Sequence, residues 1–323
     1  SVEKTIKRYL KTRIEFYRDN IDKISFYLPL FEEHLQNKQI PQEIKYLPII
    51  ESRLDPNAVS RVGATGLWQF MFYTALENGL TMNSYIDERM DPQKSTVAAA
   101  LYLSKLYLIH NDWNLVLASY NAGPRTISRA KTKSGGYTNY WNMRPFLPSE
   151  TANYIPSFIA TMYILEYSKE HGIDLDKSEK PILKTEKIIV KEKIAFEHIS
   201  DFFQYSKDSI KSLNPSYIHN IIPADGKNKL RLPVKLVDRF VMLEEEFYSY
   251  AKAEFEKREK PLPDLYSIDS KLIYKVKYGE FLGKIARKFG IKVSDLKRWN
   301  NLKSDNIREN QKLIIFPKRI PKN

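Results

Sequence analysis

A glutamate stands where the sequence pattern asks for an apolar side chain. In PQEIKYLPIIESRLDP, residues 41 to 56, Ile44, Leu47, Glu51 and Leu54 follow at spacings of three, four and three, one face of a helix. Pro41 suits a first helical position, and Asp55-Pro56 ends the run, because the residue before a proline is pushed out of the α region. Burial disfavours the charged form of a carboxyl, so a glutamate on that face can stay protonated near neutral pH and serve as a general acid. A structural ion pair with Arg53 or Arg61 would occupy the same position equally well. Further on, Gly63 and Gly66 mark a turn that leads into Trp68 and Gln69. An indole can stack on a sugar face and an amide can hydrogen-bond an acetamido sugar, although Trp68 taken alone fits a core position better. Tyr120 and Asn121 end a second apolar run beside Gly123-Pro124, where polar groups face a ligand.

These residues need helices to hold them. Val2, Ile6, Tyr9, Leu10, Ile14 and Tyr17 keep a helical period, followed by a stripe at Phe26, Leu30, Phe31 and Leu35, so residues 1–38 predict a helical layer. Residues 92–109, rich in Ala, Leu and Tyr, and 113–122 predict two buried central helices, and Ser149-Glu150-Thr151 opens another that Gly172 closes. The expectation is a mainly α domain over 39–176 with residues 1–38 packed on it.

Composition narrows the chemistry. The chain has 323 residues, 42% of them hydrophobic, which suffices for packed cores. No apolar run approaches the roughly 20 residues of a membrane span, and no signal peptide stands at Ser1. With no cysteine there is no disulfide framework, thiol nucleophile or Cys-based zinc site. His34, His110, His171, His198 and His219 are scattered, so neither a metal nor another cofactor is expected. The net charge of +13 attracts polyanions, but without a concentrated basic block or a nucleic-acid-binding signature it reads as a generally cationic surface, with no nucleic-acid partner.

Beyond residue 176 the chain repeats itself. Val190, Ile199, Phe203, Ile210 and Asn214 match Val276, Ile285, Phe289, Leu296 and Asn300 at a constant offset of 86, and each copy closes with a strand-like run, KLRLP and KLIIFP. The second copy reads as strand, helix, helix, strand, with Leu313 to Phe316 the last strand. Asp174 to Pro181 and PLPDLYS, from Pro261 to Ser267, read as linkers, and Val237 to Glu259 as one amphipathic helix. The predicted organisation is therefore α+β and multidomain: 1–38, 39–176, 177–235, 236–267 as helix and linker, and 268–323.

Glu51-Ser52, GATGLWQ (Gly63 to Gln69), SYNAG (Ser119 to Gly123) and ETANYI (Glu150 to Ile155) stand in the order and spacing of the family-1 lytic transglycosylases. The chain most resembles the membrane-bound type D branch, which joins a lysozyme-like catalytic domain to LysM modules. Trp68 replaces the methionine common in the family's GLMQ, and Asn153 stands where many relatives keep a larger or basic residue.

The resemblance implies that Glu51 is the single general acid and base. It would protonate the glycosidic oxygen between N-acetylmuramic acid and N-acetylglucosamine, then deprotonate the 6-hydroxyl of the same sugar to close a 1,6-anhydro ring. Ser52, Trp68, Gln69, Tyr120 and Asn121 would line the cleft, with Tyr120 orienting Glu51, Glu150 ordering its substrate end, and Tyr154 contacting sugar or packing behind the acid. In the LysM copy, Gly279, Glu280, Phe281 and Leu282 would face Asn301, Leu302, Lys303 and Ile307 across a glycan groove. The first copy has Lys193 and Ile194 where the second has Gly279 and Glu280, and is expected to be a degenerate, mainly structural LysM-like module. The implied partner is the peptidoglycan glycan strand, the implied place the periplasm or cell envelope, with any lipid anchor outside this chain and the protein a monomer. Two alternatives stand beside this reading. A hydrolytic lysozyme would require a second carboxylate such as Asp87 or Asp91; a non-catalytic peptidoglycan-binding scaffold would require none.

Overall fold

The computed structural model describes residues 1–175, 184–224, 226–258, 272–300 and 302–315. Most of the first expected linker, the whole of PLPDLYS, Asn301 and Phe316 lie outside the described residues. The chain forms two compact units, Ser1–Gly79 with Pro92–Leu183, and Leu80–Asp91 with Lys184–Asn323.

The first unit is helical. Helices α1 (Val2–Thr12), α2 (Ile14–Asp19) and α3 (Ile21–Gln36) make the expected N-terminal layer. They are followed by α4 (Leu47–Ser52), α5 (Phe72–Glu77), α6 (Pro92–His110), α7 (Trp113–Ala122), α8 (Pro124–Lys133), α9 (Tyr140–Met143) and α10 (Ser149–Glu166). Five consecutive residues of α7, Leu115 to Ser119, are buried, as in a helix enclosed on every side. Small residues on α6 (Ser95, Thr96, Ala98, Ala99 and Ala100, all buried) let its neighbours approach closely. No structural boundary falls at residue 38. Tyr17 shares a hydrogen bond with Thr161 of α10 at 3.2 Å, and Arg18 donates to the His171 and Gly172 carbonyls, so the layer belongs to the same body.

The helix expected over residues 41–56 is shorter and split. A 3-10 turn over Gln42–Tyr46 precedes α4, and α4 stops at Arg53, which is left-handed with φ 56°. Pro48 is the reason: with no N–H it cannot donate to the carbonyl four residues back, so one turn ends and another begins. The last long helix likewise ends at Glu166, with a separate 3-10 turn over Lys169–His171 before Gly172.

In the second unit, β1 (Thr185–Ile189), β2 (Ile194–Ala195), α11 (Phe196–Phe203), α12 (Lys207–Leu213), β3 (Ile221–Ile222) and β4 (Lys229–Pro233) form the first repeat. Strands β1 and β4 are antiparallel, with Lys187 opposite Arg231. Helices α13 (Val234–Met242) and α14 (Glu244–Glu256) follow in place of the one helix expected, for Leu243 leaves the helical region and three glutamates begin a fresh helix, where the dipole favours them. Leu236, Val237, Phe240 and Phe247 share one core with Ile199 and Phe203, so the expected boundary at residue 235 is not one.

The second repeat runs β5 (Leu272–Lys275), α15 (Leu282–Phe289), α16 (Val293–Trp299) and β6 (Lys312–Ile315), with β5 and β6 antiparallel. The equivalences at offset 86 are physical ones. Asn214 donates to the Ile210 and Arg231 carbonyls and accepts from the Arg231 N–H; Asn300 does the same with Leu296 and Ile314. Gly290 ends α15 with φ 66°, and Gln204, 86 residues earlier, ends α11 with φ 53°.

One arrangement lay outside the sequence reading. Residues 80–91, inside the expected catalytic domain, belong to the second unit. Tyr85 and Ile86 are buried in the core of the first repeat, the Asp87 N–H donates to the Ser216 carbonyl at 2.9 Å, and the Ile218 N–H donates to the Tyr85 carbonyl at 2.9 Å.

Candidate active site

Glu51 lies in the last turn of α4 and keeps some surface open to solvent. The Tyr154 hydroxyl, from α10, donates a hydrogen bond to its Oε1. Burial pushes the Glu51 carboxyl up from 4.5 to about 7; the Tyr154 bond opposes this, and the negative charge of Glu150 adds to it. Burial and the Glu51 charge hold both the Tyr154 and Tyr120 hydroxyls well above the usual phenol range, so both remain neutral donors. Arg53 lies over the Phe16 ring, 5.9 Å from its centroid, and the contact that fixes Glu51 is the tyrosine.

Tyr154, and not Tyr120, has the role of orienting Glu51 that was expected of Tyr120. Tyr120 donates to the Trp68 carbonyl at 2.7 Å and so anchors the GATGLWQ loop to α7, while Tyr154 orients Glu51. The same loop is held from α4 by Ser52, whose hydroxyl lies 2.9 Å from the Leu67 carbonyl and 3.0 Å from that of Pro48. Ser52 is buried and turned into the backbone, so it positions the loop rather than facing substrate. Trp68 is wholly buried, with its indole N–H on the Thr96 hydroxyl at 3.0 Å and its ring edge-on to Phe31, which leaves no face for a sugar. Trp68 is a core residue.

Gln69 is half-buried with φ 48°, and its side-chain amide donates to the Gly66 carbonyl at 2.9 Å. The same amide also donates to the Ala58 carbonyl at 3.3 Å, which ties Gln69 to its own loop. Asn121, at the end of α7, accepts from the buried Thr151 hydroxyl of α10 at 2.9 Å, which joins the two helices beside the acid and leaves the Asn121 amide group as a donor. Glu150, in the first turn of α10, is exposed. Thr151 is the residue the sequence reading missed; a threonine just after a helix start carries no distinguishing signal.

Of the two acids the hydrolytic alternative would call on, Asp87 is otherwise engaged, and the neighbouring acids Asp55 and Glu88 serve local turns. Asp87 forms a buried ion pair with Arg89 at 2.6 Å, and Asp55 caps a turn at the Asn57 N–H. Glu88 accepts from the Thr81 N–H at 2.7 Å.

In the second repeat, Gly279 has φ 72° and nothing stands within 4 Å of where a Cβ would project, so it serves the turn. Glu280 bonds inward, to the Tyr274 hydroxyl and the Lys277 N–H; burial would raise its carboxyl, but these donors and Lys288 and Lys284 hold it below its usual range. Leu282 is buried, and Leu302 and Ile307 pack partly against the same core, so none of the three offers the full side chain expected of a glycan contact. Phe281, Tyr278 and Lys303 are exposed. In the first repeat, Ile194 is buried and paired with Ile222 in a short ladder, so a strand replaces the sugar-facing loop.

A transglycosylase SLT domain matches residues 29–142, a LysM domain residues 274–316, and the LysM-like domain of lytic transglycosylase MltD residues 184–249. The chain thus carries a transglycosylase SLT domain together with LysM and LysM-like domains. It is 28% identical over 314 residues to the membrane-bound lytic murein transglycosylase D of Escherichia coli K12, covering 96% of this chain and 67% of that one. The membrane-bound lytic murein transglycosylase F of Maricaulis maris is 35% identical over 124 residues, 36% of this chain and 24% of its own. Among solved structures, the 70 kDa soluble lytic transglycosylase of Escherichia coli is 28% identical over 44% of this chain and 24% of that one, with a TM-score of 0.39. The SLT match spans residues 80–91, which pack in the second unit. No described helix is long and apolar enough to cross a membrane.

Proposed function

We propose that this chain cleaves the bond between N-acetylmuramic acid and N-acetylglucosamine in peptidoglycan without water, with Glu51 as its single acid and base. The observation that carries the reading is the Glu51 carboxyl, raised to about 7 by burial and oriented by Tyr154. A group titrating there can give a proton and take one back at neutral pH. Glu51 protonates the glycosidic oxygen as the bond breaks, and the muramoyl N-acetyl group offsets the positive charge at the sugar carbon. The resulting carboxylate, held by Tyr154, accepts the proton of the sugar's own 6-hydroxyl as that oxygen closes the 1,6-anhydro ring. An intramolecular nucleophile brings high effective molarity, so no second carboxylate is needed to activate water. Hydrolysis is disfavoured by the engagement of Asp87 with Arg89.

The second repeat serves as the glycan-binding module, with Gly279, Phe281 and Lys303 on its open side, and raises the local concentration of the enzyme on the polymer. The first repeat is structural. The site of action is the cell envelope, where the substrate lies. Mass spectrometry of products from purified peptidoglycan tests the reading. Fragments about 18 Da lighter than their hydrolysed counterparts, absent with Glu51→Gln, are expected when no water attacks. Reducing-end products from the wild type would refute it.

A further inference from the structure

The segment from Gly123 to Pro148 leaves the site and returns to it. It starts two residues after Asn121 and ends three before Thr151, and those two side chains are hydrogen-bonded to each other. Arg144 fastens its far end to α10 through the Ala152 carbonyl at 2.7 Å and Asn153 at 3.3 Å, next to the tyrosine that holds Glu51. From Trp113 to Ser149 the sequence has no Asp or Glu, yet it carries Arg125, Arg129, Lys131, Lys133 and Arg144.

The first four lie on α8 and are exposed, while Ile127 and Ala130 are its buried residues. Arg125, Arg129 and Lys133 recur every fourth residue and therefore stack along one face, where like charges destabilise a helix. Arg125 also sits in the first turn, which the helix dipole makes unfavourable for a cation. Folding does not call for this arrangement; a polyanionic ligand would. Exposed Tyr137 and Trp141 follow on the same segment and provide apolar contact area beside the charges.

We propose that the α8–α9 surface binds the carboxylate-bearing stem peptides of peptidoglycan, so that the enzyme prefers peptide-substituted glycan over bare glycan. The inference rests on the proposed glycan substrate and adds its peptide to it. Continuity with the Asn121–Thr151 junction argues for the substrate's own peptide rather than an anionic membrane, since the charges are tethered at both ends to the site.

The test uses the full chain and soluble glycan fragments of matched length, with stem peptides and after their enzymatic removal. Cleavage is compared for wild type and the R125Q/R129Q/K131Q/K133Q variant, with circular dichroism to confirm folding. Wild type is expected to cleave peptide-bearing fragments at least about tenfold more efficiently, equal to about 1.4 kcal/mol, and the variant to bring the ratio near one. Binding of both fragment types is measured in parallel in Glu51→Gln versions of each protein. That arm reads the peptide preference even where no cleavage occurs, so a failure of the proposed reaction is told apart from a failure of this surface. Equal ratios in wild type and variant overturn the proposal. So does an unchanged ratio with lost binding to phosphatidylglycerol vesicles, which would give the surface to a membrane.

Discussion

Replacing Tyr154 by phenylalanine removes one hydroxyl and leaves the ring that keeps Glu51 enclosed. The hydroxyl donates to the Glu51 carboxylate, so its loss withdraws support from the charged form and leaves burial unopposed. The carboxyl must move up. A hydrogen bond to a charged group contributes about 1.5–3 kcal/mol and one pH unit corresponds to about 1.4 kcal/mol, so the shift is about one to two units. From about 7 in the wild type, the carboxyl is expected at about 8–9 in the variant. In the proposed mechanism the protonated acid starts the reaction, so kcat/KM is expected to fall as pH rises through this value. The assay is the initial rate of soluble product release across pH 4 to 10, with the variant's alkaline limb expected at the higher pH. Below about pH 6 both proteins are protonated, so any rate difference there reports misplacement of Glu51 rather than its ionisation. An alkaline limb that stays put, or moves down, would show that Tyr154 does not hold the carboxylate and would remove it from the mechanism.

A folded-state carboxyl at about 7 against an ordinary 4.5 binds its proton more tightly when folded, so this contribution to stability is present below about pH 4.5 and is lost as pH rises through about 7. Glu51→Gln lacks that loss, and should gain up to about 3 kcal/mol on the wild type between pH 4.5 and pH 8.5 in urea titrations; equal pH dependence of the two proteins would contradict the raised carboxyl. Ile86→Ala, in the core of the first repeat, should destabilise the second unit by about 2–4 kcal/mol, measured by thermal unfolding beside Val62→Ala at an exposed position; equal effects would argue against the shared core.

The internal repeat was legible because a repeated fold reuses repeated physics. Asn214 and Asn300 stand 86 residues apart because each satisfies the same closing strand, where the amide donates to and accepts from the backbone at once. The α-helices of the first unit were legible where an apolar period ran unbroken, as in α6 and α7. The helix bearing Glu51 is shorter than its period predicts because the period continues through Pro48 while the hydrogen-bond ladder does not. Periodicity describes which side chains are buried; the backbone donor count decides where a helix is cut.

Roles within the site were harder to read than membership. Tyr120, partly buried, and Tyr154, buried, are both phenols whose titration the Glu51 charge reaches, and sequence alone gives each the same capacity to donate. What separates them is where the second acceptor lies: the Trp68 carbonyl meets one hydroxyl and leaves only the other for Glu51. That carbonyl is in place because Trp68 is buried whole, with its indole bonded to Thr96. The residue expected to touch sugar therefore acts through its backbone instead, by occupying the tyrosine that would otherwise compete for the acid. The same logic applies to Asp87, since the segment that carries it is built into the first repeat and its carboxylate pairs with Arg89. A site of this kind is specified as much by partners that withdraw polar groups from the acid as by the single group left to act on it.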